Sequence, residues 1–277
     1  MLEINKIHQG NSAELLKQVN DNSVDLTVTS PPYDNLRDYK GYSFDFETIA
    51  KELYRVTREG GIIVWVIGDA TINGSETGTS FKQVLYFKEC GFNLHDTMIY
   101  HKKTPPLTHN RYEQEFEYMF ILSKGKPKTF NPILIQKKYM DKRKNKAFSR
   151  NKDNSHDLGF SSKKTHKIKG NVWLFNVGGG KSTKDKFAFE HPAIFPEELA
   201  KDHILSWSNQ GDLVLDCFAG SGTTLKIAKI LKRDFIGIEL EKSYCDISKK
   251  RLSQNTLLSL DTKQEGGNGI PPTNENV

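Results

Sequence analysis

Cysteine is scarce in this 277-residue chain, which has only Cys90, Cys217 and Cys245. Odd in number and widely spaced, they argue against a disulfide framework and against a CxxC zinc site, and they read as reduced, mostly buried thiols. Long hydrophobic runs are also lacking. The longest, Ile62 to Ile67, is bracketed by Gly61 and Gly68 and falls far short of the roughly 20 residues that span a bilayer. The opening stretch MLEINKIHQG has no apolar segment of the signal-peptide kind, so a cytoplasmic protein without membrane contact is expected. Histidines are dispersed, with no HExxH pair and no cysteine at ligand spacing, and we assign them no metal chemistry. No internal repeat is visible.

What is present is a core and a charge asymmetry. Apolar residues make up 36% and aromatics 10% of the chain, enough to fill a hydrophobic interior. The formal charge is +6, but residues 123–186 alone hold 18 Lys or Arg against 4 Asp or Glu, leaving 22 against 30 elsewhere. Phe130, Tyr139, Phe148 and Phe160 are interleaved with these cations. Composition alone leaves two readings open. One is a solvated, partly disordered insertion; the other is a surface that tracks phosphates, with Lys137, Lys138, Lys142, Arg143, Lys144, Lys146 and Arg150 as candidate contacts.

Outside that segment, strand-like and helix-like stretches alternate. Strands are predicted near Leu2–His8, Val24–Thr29, Ile62–Ile67, Leu94–Tyr100, Phe116–Leu122, Leu213–Asp216 and Phe235–Ile238. Helices are predicted over Phe46–Tyr54 (stopped by Gly60-Gly61), Phe81–Lys88, Pro196–Ser206, Thr223–Leu231 and Lys242–Leu252. The expected fold is α/β: a seven-stranded, mostly parallel, doubly wound sheet covered on both faces. Residues 254–277, rich in Gly, Asn, Pro and Thr, read as a tail.

Two glycine-rich stretches invite a nucleotide reading, and only one sustains it. In LVLDCFAGSGTTLKIAKI (213–230) a strand ends at Asp216, Gly220 and Gly222 permit close backbone approach, and a helix opens at Thr223 and Thr224. Free N–H groups at that helix start face whatever lies over the strand end. Glu239, about twenty residues on and at the end of the next strand, can accept hydrogen bonds from ribose hydroxyls. Because the third glycine of a dinucleotide fingerprint is replaced by Thr224, a nicotinamide is disfavoured against another adenosine-bearing cofactor. GGGKST (178–183), by contrast, has Phe175 where a phosphate-binding loop needs its first glycine, which argues against an NTPase.

A third stretch, TSPPY (29–33), runs a strand into two prolines and an aromatic. Together with DCFAGSGTT (216–224) it resembles the amino-group DNA methyltransferases that use S-adenosylmethionine, whose catalytic motif is [DNS]PP[YFW]. The catalytic motif comes before the cofactor motif with the basic segment between them, an order similar to the permuted beta group. ELYRVTREGGIIVWVIGD (52–69), HPAIFPEEL (191–199) and FIGIELEKSYCDISKKRL (235–252) agree with it, so the resemblance covers residues 1–252. It implies a catalytic half at 1–122, a target-recognition region at 123–186 and a cofactor-binding half at 187–253 of one sheet. It further implies Ser30, Pro31, Pro32 and Tyr33 as catalytic residues. Asn11, Asp216, Phe218, Ala219, Gly220, Ser221, Gly222, Thr223, Thr224, Glu239, His191 and Phe195 would form the cofactor site. Asn11 stands where the family often has an acidic residue. Double-stranded DNA is the implied partner, with a cognate restriction endonuclease acting on the same site.

The chemistry of SPPY suits that activity. Two successive prolines remove two N–H donors, so the backbone beyond the strand offers carbonyl acceptors to an exocyclic amine. Ser30 and the Pro31 carbonyl would favour the pyramidal nitrogen of the transition state, and Tyr33 would stack on a base taken out of the duplex. Phe218 reads equally as a wall of the adenine pocket and as a core residue, and Phe195 as a cofactor neighbour or a helix staple. A cytosine-C5 enzyme would need a cysteine nucleophile after proline, whereas Glu89, Asp216 and Tyr244 precede the three cysteines. A protein or small-molecule methyltransferase leaves the basic segment without a purpose, and a non-enzymatic nucleic-acid binder leaves the glycine turn and Glu239 unexplained. Serine at the first motif position leans toward cytosine N4 within this resemblance, with adenine N6 as the alternative.

Overall fold

The computed structural model describes residues 1–32, 44–102, 111–137, 147–150, 156–159, 165–178, 180–191 and 193–254. Eight strands form one sheet: β1 (Lys6–Gln9), β2 (Val24–Thr29), β3 (Thr57–Ile67), β4 (Asn93–Lys102), β5 (Phe116–Ser123), β6 (Val172–Phe175), β7 (Leu213–Asp216) and β8 (Asp234–Glu239). Their spatial order is β1-β8-β7-β2-β3-β5-β4-β6. Every pairing is parallel except the two made by β5. The helices are α1 (Ser12–Leu15), α2 (Phe46–Val56), α3 (Thr79–Glu89), α4 (Glu197–Trp207), α5 (Thr223–Ile230) and α6 (Lys242–Ser253). Among the described residues no helix is long and apolar enough to cross a membrane.

The apolar run of β3 explains why helices cover both faces. Ile62, Val64 and Val66 enter one core with Leu199, Ala200 and Ile204 of α4 and Leu225 and Ala228 of α5. Ile63, Trp65 and Ile67 enter the other with Ile49, Leu53 and Val56 of α2 and Val84 and Phe87 of α3. A strand buried on both sides has no polar face to alternate with, hence its continuous Ile/Val/Trp composition. α2 starts where Asp45 accepts a hydrogen bond from the Thr48 N–H at 3.2 Å, a side-chain cap for an otherwise orphaned donor.

Several elements differ from expectation. The eighth strand, β6, lies inside the basic segment and pairs in parallel with β4 at the sheet edge; its four residues alternate exposed and buried, a pattern too short to stand out among the surrounding cations. β1 begins at Lys6 because Asn5 adopts a left-handed φ of 63°, its N–H donating to the Phe235 carbonyl at 2.6 Å. α2 ends at Val56, ahead of the glycine pair, and Gly60 (φ 78°) lies within β3, where the register against β2 shifts between Val24 and Leu26.

The connections define a crevice. From β2 the chain passes through α2 to β3 on one side, and from β7 through α5 to β8 on the other. Since β2 and β7 are neighbours, their C-terminal ends flank the point where the winding reverses, which is where open α/β sheets bind ligands. Within the basic segment, Leu134–Gln136 pairs with His166–Ile168 and Ala147–Arg150 with His156–Gly159, both antiparallel.

Candidate active site

The turn after β7 is shaped by two left-handed glycines, Gly220 at φ 49° and Gly222 at φ 77°. A Cβ on Gly220 would lie 2.9 Å from Nε2 of His191, so the ring occupies the space that only a missing side chain leaves. His191 is held there by the Ala193 N–H, which donates to Nδ1 at 3.1 Å, and by edge-on contact with Tyr244 at 4.3 Å.

Glu239 ties the turns after β7 and β8 together. Its Oε2 accepts from the Gly220 N–H and its Oε1 from the Glu241 N–H, each at 2.8 Å. Burial pushes its carboxyl above the usual range against the pull of those two donors. Each oxygen retains a further lone pair for an external hydroxyl. Asp216, more deeply buried than the half-buried Glu239, is raised to about 6 by desolvation, opposed by hydrogen bonds from Thr29 and the Phe218 N–H.

Two hydrogen bonds join the strand ends across the crevice. Thr29 Oγ1 donates to Asp216 Oδ1 at 2.7 Å, and Thr224 Oγ1 donates to the Val28 carbonyl at 3.2 Å. Ser30, Pro31 and Pro32 continue directly from Thr29, with Pro31 buried and Ser30 and Pro32 half-buried. The SPP stretch and the glycine turn, almost two hundred residues apart in the chain, thus meet at the C-terminal ends of two central strands.

The remaining predicted residues fall into three groups. Ala219, Ser221, Thr223 and Thr224 are buried in the turn and the first residues of α5. Asn11 caps α1, its side chain accepting from the Ala13 N–H at 2.8 Å, one residue after Gly10 donates its N–H to the Glu239 carbonyl at 2.9 Å. Phe218 contacts Phe44 at 5.5 Å and Trp65 at 6.2 Å, on the α2 and α3 side, whereas Phe195 packs against the α4 and α5 core. Tyr33, Lys138, Lys142, Arg143, Lys144 and Lys146 lie outside the described residues, and of Arg150 only the strand position is described. Lys137 is half-buried, its N–H donating to the Thr165 carbonyl at 2.9 Å.

Not every cation of the basic segment is available to a partner. Lys124 Nζ donates to Asn22 Oδ1 and to the carbonyls of Tyr54 and Thr57 at 2.8 to 2.9 Å. Lys169 pairs with Asp202 at 2.9 Å and lies 4.3 Å over the Trp173 ring. Thr29 was not legible as a site residue, since a threonine in a β-branched run reads as a strand former. Also unforeseen is a group around Arg251, Lys226, Asp185, Glu197 and Thr183. Lys226, Glu197 and Arg251 on their helices and Asp185 in the segment before α4 each look solvated in sequence, and no local spacing signals their meeting.

Comparison with known proteins bears on the family and the fold. A family model described as DNA methylase, of the N6/N4 type, matches residues 24–250. The orphan methyltransferase M.BamHII of Bacillus amyloliquefaciens is 55% identical over 247 residues, covering 87% of this chain and 93% of that protein. The structure of TTHA0409 from Thermus thermophilus, complexed with S-adenosyl-L-methionine, aligns with a TM-score of 0.62 at 26% identity, covering 90% of this chain and 93% of the other. The cytosine-N4-specific PvuII DNA methyltransferase shares the fold at a TM-score of 0.65 and 21% identity, over 90% and 86% of the two chains. With the family model spanning most of its length and its catalytic motif preceding its cofactor motif, the chain belongs to the N6/N4 DNA methylase family and to that family's beta group.

Proposed function

We propose that this protein is a site-specific DNA methyltransferase that uses S-adenosyl-L-methionine to methylate the exocyclic amino group of a base rotated out of double-stranded DNA, with cytosine N4 as the target. The observation that carries this reading is the Thr29–Asp216 hydrogen bond at 2.7 Å, which holds Ser30-Pro31-Pro32 against the glycine turn. The residues fit the cofactor. Glu239, half-buried, offers lone pairs to a pair of hydroxyls, Gly220 lets the His191 ring pack against the turn, and the two carboxylates of Asp216 and Glu239 suit a ligand with cationic groups.

When bound, the cofactor supplies an electrophilic methyl group on a sulfonium sulfur. The chain holds and orients the nitrogen that receives it. That nitrogen is a poor nucleophile because its lone pair is delocalised into the ring. Hydrogen bonds from its N–H groups to Ser30 and to the Pro31 carbonyl favour pyramidal geometry and strengthen as positive charge develops. Tyr33 stacks on the extruded base and offsets part of the few kcal/mol that unstacking costs. Alignment of the nitrogen with the methyl group accounts for much of the remaining acceleration.

The choice of cytosine rests on the resemblance, in which serine at the first motif position goes with cytosine N4. A neutral Ser30 hydroxyl can accept from the amine and donate to the neighbouring ring nitrogen, a pair of contacts that adenine offers as well, so the size of the base pocket contributes to the choice. Residues 123–186 take the role of the recognition region, between a catalytic half at 1–122 and a cofactor half at 187–253. Restriction-modification, with a cognate endonuclease sharing the site, is the biological setting that we infer. The deciding experiment incubates the protein with unmodified DNA and isotopically labelled cofactor, then identifies the labelled nucleoside by mass spectrometry. N4-methylcytosine is expected. Label in N6-methyladenine would move the target base and leave the mechanism standing; label in 5-methylcytosine, or none in DNA, would refute the mechanism.

A further inference from the structure

The glycine turn has a second set of contacts that the methyltransfer reading does not use. The Arg251 side chain is wholly inaccessible to solvent. Its Nη1 donates to the Ser221 carbonyl at 3.0 Å, to Ser221 Oγ at 3.1 Å and to Thr223 Oγ1 at 2.9 Å. Its other nitrogens face a cage of acceptors, with Nε on Asp185 Oδ2 at 2.9 Å and Nη2 on Glu197 Oε1 at 2.6 Å. Lys226 Nζ donates to the same two carboxylate oxygens at 2.8 and 2.9 Å. Thr183, from the GGGKST stretch, donates to Glu197 Oε1 at 2.7 Å and accepts from the Asp185 N–H at 3.1 Å. Two cations and two carboxylates therefore balance.

A buried ion cage is weak evidence of added stability, because desolvation of its members offsets much of their attraction. Its placement is more telling. Ser221 lies between Gly220 and Gly222, both at positive φ, and a residue flanked by two glycines has little of its own to fix its orientation. Arg251 supplies that constraint by holding the carbonyl and hydroxyl of Ser221 and the hydroxyl of Thr223. The planar guanidinium can satisfy acceptors on opposite edges at once, which an ammonium cannot.

We propose that Arg251 is a positioning residue for the cofactor turn, itself held in register by Asp185, Glu197, Thr183 and Lys226. This rests on the functional reading given above. In it, Thr183 is a latch that orders the arginine, and Arg251 acts on the cofactor only through Ser221 and Thr223.

The test is a double-mutant cycle in Arg251→Lys and Thr223→Val on the full chain, with S-adenosyl-L-methionine titrated calorimetrically. Each single change should weaken binding by about tenfold or more, the scale of one charge-assisted hydrogen bond. Because both changes cut the same link, the double variant should lose much less than the product of the two. Methyl transfer by Arg251→Lys should show a raised cofactor KM with kcat at saturating cofactor retained, and its affinity for duplex DNA without cofactor should match wild type. Multiplicative losses, or wild-type cofactor affinity in a less stable Arg251→Lys protein, would overturn the proposal. Should Arg251→Lys not fold, Thr183→Val decides in its place, because Thr183 lies outside the cofactor turn and meets it only through Glu197 and Arg251: unchanged affinity would overturn the proposal, and weakened binding at wild-type stability would support it. Failure of the wild-type protein to bind S-adenosyl-L-methionine would overturn the functional reading, whereas binding by wild type with no change in the variants would overturn this proposal alone.

Discussion

Replacing Asp216 by asparagine should change stability in a way that depends on pH. Asp216 is only 5% exposed, and burial raises its carboxyl to about 6 from an ordinary 3.8. The folded state therefore favours the neutral acid, and the stability contributed by that preference is fully present below about pH 4 and lost as pH rises through 6. At 1.36 kcal/mol per unit, the loss between those limits is on the order of 3 kcal/mol. Both hydrogen bonds to the carboxylate, from Thr29 Oγ1 at 2.7 Å and the Phe218 N–H at 3.1 Å, end on Oδ1. An asparagine can keep that acceptor and place its amide against the neighbouring Thr224 hydroxyl. Asp216→Asn should thus be more stable than wild type at pH 7 to 8, and the advantage should shrink toward zero as pH falls to about 4. Urea unfolding of the cofactor-free proteins across this range, followed by circular dichroism, reads the effect, because titrating groups not coupled to Asp216 cancel in the difference and Glu239, whose charge raises Asp216, adds in the same direction. A difference that stays constant with pH, or that grows as pH falls, would refute the reasoning.

Glu239→Ala should weaken cofactor binding by about 1 to 3 kcal/mol through loss of charged hydrogen bonds, and equal affinities by calorimetry would remove the residue from the pocket. In Gly237→Ala the new Cβ would collide with the Leu225 side chain, so this fully buried leucine must repack between α5 and β8. A stability loss of about 1 to 3 kcal/mol in urea is expected, and an undiminished midpoint would show that the interface yields freely. Tyr33→Ala should abolish most methyl transfer while leaving cofactor affinity intact, and unchanged turnover would overturn the stacking role. For DNA, log affinity should fall with log salt by about 0.9 per phosphate contact. Changing Lys142, Arg143, Lys144 and Lys146 to Gln should flatten that slope, and an unaffected slope would return the segment to a solvated surface.

Much of the frame was legible because it depends on local periodicity. The strand Leu213–Asp216 was expected at the bounds where it forms, and the apolar run in β3 could only be a strand buried on both faces. The glycine turn and Glu239 could be paired from sequence because strand, turn, helix and strand follow one another at short range, and their meeting needs no information from the rest of the chain. The strand β6 was missed for the opposite reason: its partner β4 is some seventy residues earlier, and four residues carry too little periodicity to outweigh the charges around them.

By itself, the sequence determined which residue types meet at the strand ends: prolines without N–H groups after β2, glycines able to take positive φ after β7, and an acid as the last residue of β8. Those properties are covalent and local. Only the tertiary structure decided what they touch. The order of the strands set β2 beside β7 and so gave Thr29 its bond to Asp216. Packing of α6 against α5 and the segment before α4 buried Arg251 among carboxylates from distant parts of the chain. Such contacts depend on the desolvation and relative placement of whole elements, and neither is encoded within any one window of residues.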